Sequence, residues 1–245
     1  MPWSTILLFG DSITEQSFSS QGRWAALLAD RFQRMADVIP RGFSGYNTRW
    51  CKILLPDILN SINAKDVSCM TIFLGANDCS LPTSDQYVPV DEFQQNLETM
   101  ISILECRGIV RQKIVFITPP IYFHSHFVAA SAKDGDPDPL RSDDRPAIYA
   151  KAMVELAEKL NVSVVDAYSA FAADGRGEEL FYDGLHFSPA GSELLYNLVV
   201  KDIEARVLAF RDESSANETI NYARWRDVDG GNLEESLFRQ TTAKN

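Results

Sequence analysis

Residues 5–12 read Thr5-Ile6-Leu7-Leu8-Phe9-Gly10-Asp11-Ser12, an apolar run that stops at a glycine and two small polar residues. An apolar run without alternation is what a strand covered on both faces requires, so residues 5–9 are expected to be a buried strand of a parallel sheet. Four further β-rich runs follow, at residues 37–42, 68–74, 113–118 and 162–166. Stretches with helical spacing alternate with them, at residues 22–35, 48–62, 90–107, 145–160 and 189–208. In the third of these, Phe93, Leu97, Met100, Ile101 and Leu104 recur on one face while Glu92, Gln95 and Glu98 fall elsewhere. Strand–helix alternation at this period predicts an α/β fold: a three-layer α/β/α sandwich around a parallel five-stranded sheet, flavodoxin-like in order, with right-handed crossovers.

Ligands of such sheets bind beyond the carboxyl ends of the strands. The first three predicted strands run into Gly10-Asp11-Ser12, Gly42-Phe43-Ser44-Gly45-Tyr46-Asn47 and Gly75-Ala76-Asn77-Asp78. All three endings are rich in Gly, Asn, Asp and Ser, and all belong on one rim.

The totals narrow the function classes. The chain has 245 residues, 45% of them apolar, and a net charge of −11. A domain of this length buries roughly 70–75% of its unfolded surface and needs neither disulfide nor metal to be stable. The acidic balance argues against nucleic acid and anionic membranes, which select basic patches. None of Cys51, Cys69, Cys79 and Cys106 forms a C-x-x-C pair, so no zinc site is expected. Cys69 reads as core, and Cys79 as a rim residue open to solvent with no base beside it. No run of 18 apolar residues occurs, hence no membrane span, and the N-terminus reads as part of the fold with a reducing cytosol as the simplest compartment. Walker and G-x-G-x-x-G loops are missing, and Tyr46 breaks a G-x-S-x-G match at residues 42–46.

Residues 1–210 are expected to form the one folded domain. Residues 211–245 read as a polar extension whose Trp225, Leu233, Leu237 and Phe238 pack part of it onto the domain. Residues 123–144 are a long insertion beside the rim, with His124 and His126 in what reads as a polar loop. Its length and position suggest a lid or a pocket wall.

Near the far end of the chain stands Asp183-Gly184-Leu185-His186. A serine nucleophile needs a base to take its proton, and the base needs a third group to fix its tautomer and stabilise its charge. Ser12, His186 and Asp183 meet that requirement from two short motifs. Each has a plainer reading as well: Ser12 as a helix N-cap, His186 as a helix-start residue, Asp183 as turn chemistry with Gly184. Asp11 and Asp78 read as hydrogen-bonding residues that organise the rim.

Four blocks in order resemble a known family. Gly10-Asp11-Ser12, residues 42–48, Gly75-Ala76-Asn77-Asp78 and Asp183-x-x-His186 resemble the nucleophile, glycine, asparagine and acid–base blocks of GDSL-type esterases of the SGNH hydrolase superfamily. Within it the chain is most similar to the isoamyl acetate-hydrolysing esterases, through residues 10–14, 45–50 and 183–188. It departs from many members at Phe187-Ser188, where they carry Pro-Asn. The resemblance implies a cofactor-free serine esterase with Ser12, Asp183 and His186 as catalytic residues. It assigns an oxyanion hole to the backbone N–H of Ser12, the backbone N–H of Gly45 and the side-chain amide of Asn77. The substrate implied is a short aliphatic ester, acetates above all. A lysolipid, a thioester or an acetylated sugar is the alternative, and a non-catalytic ligand-binding module the third reading. Phe123, Phe127 and Val128 could line a pocket for a larger substrate. The oligomeric state is left open, a homodimer included.

Overall fold

In the computed structural model, which describes residues 3–134, 140–207 and 222–237, the opening apolar run becomes strand β1 (Ser4–Gly10), buried over its last six residues. The chain continues through helix α1 (Ser12–Glu15), α2 (Trp24–Arg31), β2 (Ala36–Gly42), α3 (Thr48–Asn60), β3 (Val67–Phe73), α4 (Val90–Cys106) and β4 (Ile114–Ile117). It then forms α5 (His124–Ser131), α6 (Arg145–Leu160), β5 (Ser163–Val165), α7 (Ala167–Ala173) and α8 (Pro189–Arg206). All strand pairs are parallel, in the order β2-β1-β3-β4-β5.

Period two of the strands divides the core into two halves. Ile6, Leu8, Cys69, Phe73, Val115 and Ile117 point to one face, where α2, α7 and α8 contribute Trp24, Leu28, Phe171, Leu195 and Val199. Leu7, Phe9, Met70, Ile72, Ile114 and Phe116 point to the other, against Leu55 of α3, Leu97 and Met100 of α4, and Met153 and Leu156 of α6. The result is the three-layer α/β/α sandwich. Each fully buried aliphatic side chain contributes roughly 1.5–3 kcal/mol, which is why uninterrupted apolar strands select this arrangement.

Local chemistry sets the helix ends. The Asn47 side chain accepts from Trp50 N at 3.0 Å to start α3, and that of Asp166 accepts from Ser169 N at 3.1 Å to start α7. Ser188, in the family-variant dipeptide, caps α8 by accepting from Gly191 N at 3.3 Å, with Pro189 in the first helical turn. The helix expected over residues 22–35 is shorter, Trp24–Arg31, and Arg34 beyond it takes a left-handed φ of 62°.

Two segments depart from expectation. His124 and His126 stand on helix α5, not in a loop, because α5 packs Phe127 against Tyr122 (ring centroids 5.7 Å apart). Residues 135–139, with Pro137 and Pro139, lie outside the described residues. In the C-terminal extension Trp225, Leu233 and Leu237 are exposed, and Phe238 lies outside the described residues. The extension meets the domain through Arg34, whose Nη2 donates to Tyr222 O (2.8 Å) and Ala223 O (2.9 Å), and through Trp3, whose ring lies 6.5 Å from that of Tyr222. Among the described residues no helix is long and apolar enough to cross a membrane.

Candidate active site

Ser12 is delivered by the end of β1. Asp11 takes the N-cap of α1, its Oδ1 accepting from Ile13 N at 3.0 Å and its carbonyl from Thr14 N and Glu15 N. The cap is therefore Asp11's, and Ser12 occupies the first helical position with its hydroxyl free for another partner. That partner is His186: Ser12 Oγ and His186 Nε2 are 2.8 Å apart. Helix α1 lies directly on the end of β2, where a Cβ on Gly42 would stand 1.9 Å from Glu15 N. The Glu15 carboxylate in turn accepts from Ser44 N at 2.7 Å, tying α1 to the glycine block.

Asp183 and His186 share a tight turn closed by an antiparallel bridge between Phe181 and Phe187 and by Tyr182 N donating to His186 O at 3.0 Å. Gly184 at the turn has a φ of +90°, and a Cβ there would sit 2.6 Å from Phe123 O, so only glycine fits. Phe187 anchors the turn by stacking on Phe171 (4.8 Å) and Phe73 (6.3 Å). Within it, Asp183 Oδ1 accepts from Leu185 N (2.9 Å) and His186 N (2.7 Å), while Oδ2 accepts from His186 Nδ1 (2.6 Å).

These contacts decide the tautomer. A carboxylate can only accept, so Nδ1 carries the proton toward Asp183 and Nε2 of the neutral ring accepts from the Ser12 hydroxyl. Burial pushes the Asp183 carboxyl up, but the hydrogen bond and charge of His186 and the two backbone N–H groups outweigh it and hold the group below the usual carboxylate range. The Tyr182 ring stacks on the imidazole (centroids 5.7 Å, planes 16° apart), and its hydroxyl donates to Gln16 Oε1 at 2.9 Å.

Gly45 and Asn77 stand together at the ends of the next two strands. Asn77 Nδ2 donates to Tyr46 O at 2.8 Å, and Gly45 takes a left-handed φ of +78°. Among the described residues no protein acceptor takes the backbone N–H of Ser12 or of Gly45. Two buried carboxylates organise the rim below. Asp78 accepts from Thr48 N (3.0 Å) and from the Thr48 hydroxyl, and Asn96 Nδ2 donates to the same hydroxyl at 3.1 Å. Burial raises Asp78 to about 7 despite the Thr48 hydrogen bonds, with Asp11 adding to the rise. Burial likewise raises Asp11 to about 6, opposed by the Ile13 N–H, His186 and Arg141.

Cys79 is not open to solvent. It is 5% exposed, its Sγ donates to Ala76 O at 3.3 Å, and burial pushes the thiol up to about 12. The cause is the turn after β3, which folds residues 75–79 back under the insertion. Phe123 and Phe127 spend their rings on Phe181 (5.6 Å) and Tyr122 (5.7 Å). A small enclosed cavity is lined by Ala76, Cys79, Pro120, Tyr122, Arg141 and Leu185. Sequence reasoning missed Tyr182, Gln86 and Arg141. Tyr182 adjoins the Asp183 motif and could have been noticed; nothing local marks the other two.

Residues 8–194 match the sequence model of the GDSL-like lipase/acylhydrolase family. The chain is 37% identical over 239 residues to the human isoamyl acetate-hydrolyzing esterase 1 homolog, covering 96% of this chain and 92% of that protein. It is 32% identical over 246 residues to the isoamyl acetate-hydrolyzing esterase of Saccharomyces cerevisiae, covering 95% and 99%. Among solved structures, a lipase/acylhydrolase from Enterococcus faecalis superposes with a TM-score of 0.66 at 29% identity, over 83% of this chain and 97% of that one. The chain thus belongs to the GDSL-like lipase/acylhydrolase family and is a carboxylic ester hydrolase.

Proposed function

We propose that the chain hydrolyses short-chain aliphatic esters, acetate esters such as isoamyl acetate above all, through an acyl-Ser12 intermediate. The observation that carries this reading is the hydrogen-bonded line from Asp183 Oδ2 to His186 Nδ1 (2.6 Å) and from His186 Nε2 to Ser12 Oγ (2.8 Å). His186 Nε2 takes the hydroxyl proton as Oγ attacks the ester carbonyl carbon. The imidazolium that forms is stabilised by Asp183, which stays ionised because its carboxyl is held low. Negative charge collects on the carbonyl oxygen, toward which the N–H groups of Ser12 and Gly45 and the Asn77 amide donate; each such donor is worth on the order of 3–4 kcal/mol. The C–O bond to the alcohol then breaks, and His186 returns its proton to the leaving alkoxide. Water attacks the acyl-enzyme with His186 again as base, and the acid departs from a regenerated Ser12.

A short acetate-type ester is supported by the names of the two curated relatives above, one an isoamyl acetate-hydrolyzing esterase and the other a homolog of such an enzyme. The test is hydrolysis of p-nitrophenyl acetate, butyrate, octanoate and palmitate by wild type and Ser12→Ala side by side. Activity on acetate and butyrate that vanishes at the long chains and in the variant is expected. A maximum at palmitate would move the substrate to lysolipids, and a Ser12→Ala protein as fast as wild type would remove the acyl-serine mechanism.

A further inference from the structure

We propose that Arg141 is a positioning residue for the oxyanion donors: it locks the Asn77 amide in its donating orientation and ties it to Gly45 through Gln86. The proposal rests on the reading of Asn77 and Gly45 given above.

Arg141 is 8% exposed, and among the described residues no carboxylate lies within ion-pair distance of it. A buried cation is expensive unless its donors are satisfied, and Arg141 meets the charge of the buried Asp11 only beyond ion-pair distance. Its guanidinium donates to three neutral oxygens: Ala76 O, Asn77 Oδ1 (2.7 Å) and Gln86 Oε1 (3.1 Å). Two of these belong to the peptide and the side chain of the asparagine block itself.

The chemistry of the partner fixes the amide. A guanidinium has donors and no acceptor, so Asn77 must turn its oxygen to Arg141 and its nitrogen away from it. Nδ2 then donates to Tyr46 O at 2.8 Å, and its second N–H has no acceptor among the described residues. A half-turn of the amide, sterically almost neutral, would present a lone pair where the oxyanion forms. The charge on Arg141 also draws electron density from Oδ1, which makes Nδ2–H a stronger donor. The same logic orients Gln86: Oε1 faces Arg141 and Nε2 donates to Gly45 O at 2.8 Å, while Asn47 Nδ2 donates to Gln86 O at 2.9 Å. One side chain thus reaches both loop donors. It comes from the insertion, with its guanidinium 5.9 Å above the Phe127 ring of α5 and the neighbouring Leu140 O accepting from Leu81 N.

The test is a double-mutant cycle on p-nitrophenyl acetate with wild type, Asn77→Ala, Arg141→Met and Asn77→Ala/Arg141→Met. Arg141→Met is expected to lower kcat by roughly 10- to 100-fold with KM within about threefold, and to cost less than about threefold in the Asn77→Ala background. Arg141→Lys, which keeps the charge and loses the fork, should fall between and serves if the Met variant does not fold. In parallel, the Asn77 side-chain amide pair is followed by 1H–15N NMR, assigned by its disappearance in Asn77→Ala. It should shift or broaden in Arg141→Met and Arg141→Lys. Independent, additive losses or an unmoved amide pair would overturn the proposal. A wild type that hydrolyses no ester would instead count against the esterase reading, and the amide signals would still decide whether Arg141 holds Asn77.

Discussion

Asp78 touches no catalytic group, yet it carries the clearest pH signature in the molecule. Its carboxyl is raised from 3.8 to about 7 by burial, and Asp11 shares the trend at about 6. A raised carboxyl pKa favours the protonated form in the folded state. Stability from this source is complete below the unfolded value, near pH 4, and is lost as pH rises toward the folded value, because the unfolded chain releases its proton first. Asp78→Asn removes the titration while keeping an oxygen for Thr48 N and the Thr48 hydroxyl. The melting-temperature gap between Asp78→Asn and wild type should widen in favour of the variant between about pH 4 and pH 8, reaching on the order of 5 °C. A gap that stays level across that range would show that Asp78 is not penalised by burial. At this scale the sequence was informative about identity and silent about state. Ser12, Asp183 and His186 could be singled out from type and spacing. That Ser12 is not the N-cap follows only from Asp11 taking that place.

Elements position the site by contact, and α1 on β2 is the sharpest case. A methyl at Gly42 would meet Glu15 N, Glu15 Cα and Thr14 C, all backbone, at 1.9–2.5 Å, so α1 must lift or β2 must part from it. Gly42→Ala should therefore destabilise by more than about 3 kcal/mol and abolish ester turnover. Gly175 is the control: its φ is +87° but nothing lies within 4 Å of a Cβ there. Gly175→Ala should cost only about 1 kcal/mol, with kcat unchanged. Urea unfolding and turnover of both variants check the pair; equal losses would mean that α1 gives way to the added methyl at little cost. That Gly42 is the indispensable one was not legible in the chain, because the backbone it would strike belongs to α1, 27 positions earlier.

In the whole molecule, the insertion is wired to the site through Arg141 and through Phe123 N, which donates to Gly184 O at 3.0 Å. Shortening residues 123–144 should lower kcat for every p-nitrophenyl ester, by at least about tenfold for the acetate, because a donor-positioning contact is lost along with any pocket wall. A shortened chain with an unchanged kcat and KM profile would deny the insertion any role. The layers of this fold were readable from residue order alone. Uninterrupted apolar strands demand cover on both faces, amphipathic helices supply it, and the rim glycines and polar residues fall at strand ends by covalent connection. The three residues proposed as catalytic were legible for the same reason: each sits in a short motif whose local conformation follows from its own residues, as in the Asp183–His186 turn. What the fold alone decided are the contacts between distant segments. Ser12 meets His186 across 174 positions and Arg141 meets Asn77 across 64, while Cys79 disappears beneath the insertion. Such pairings are set by which packed surfaces approach each other, a property of the assembled core that no local spacing encodes.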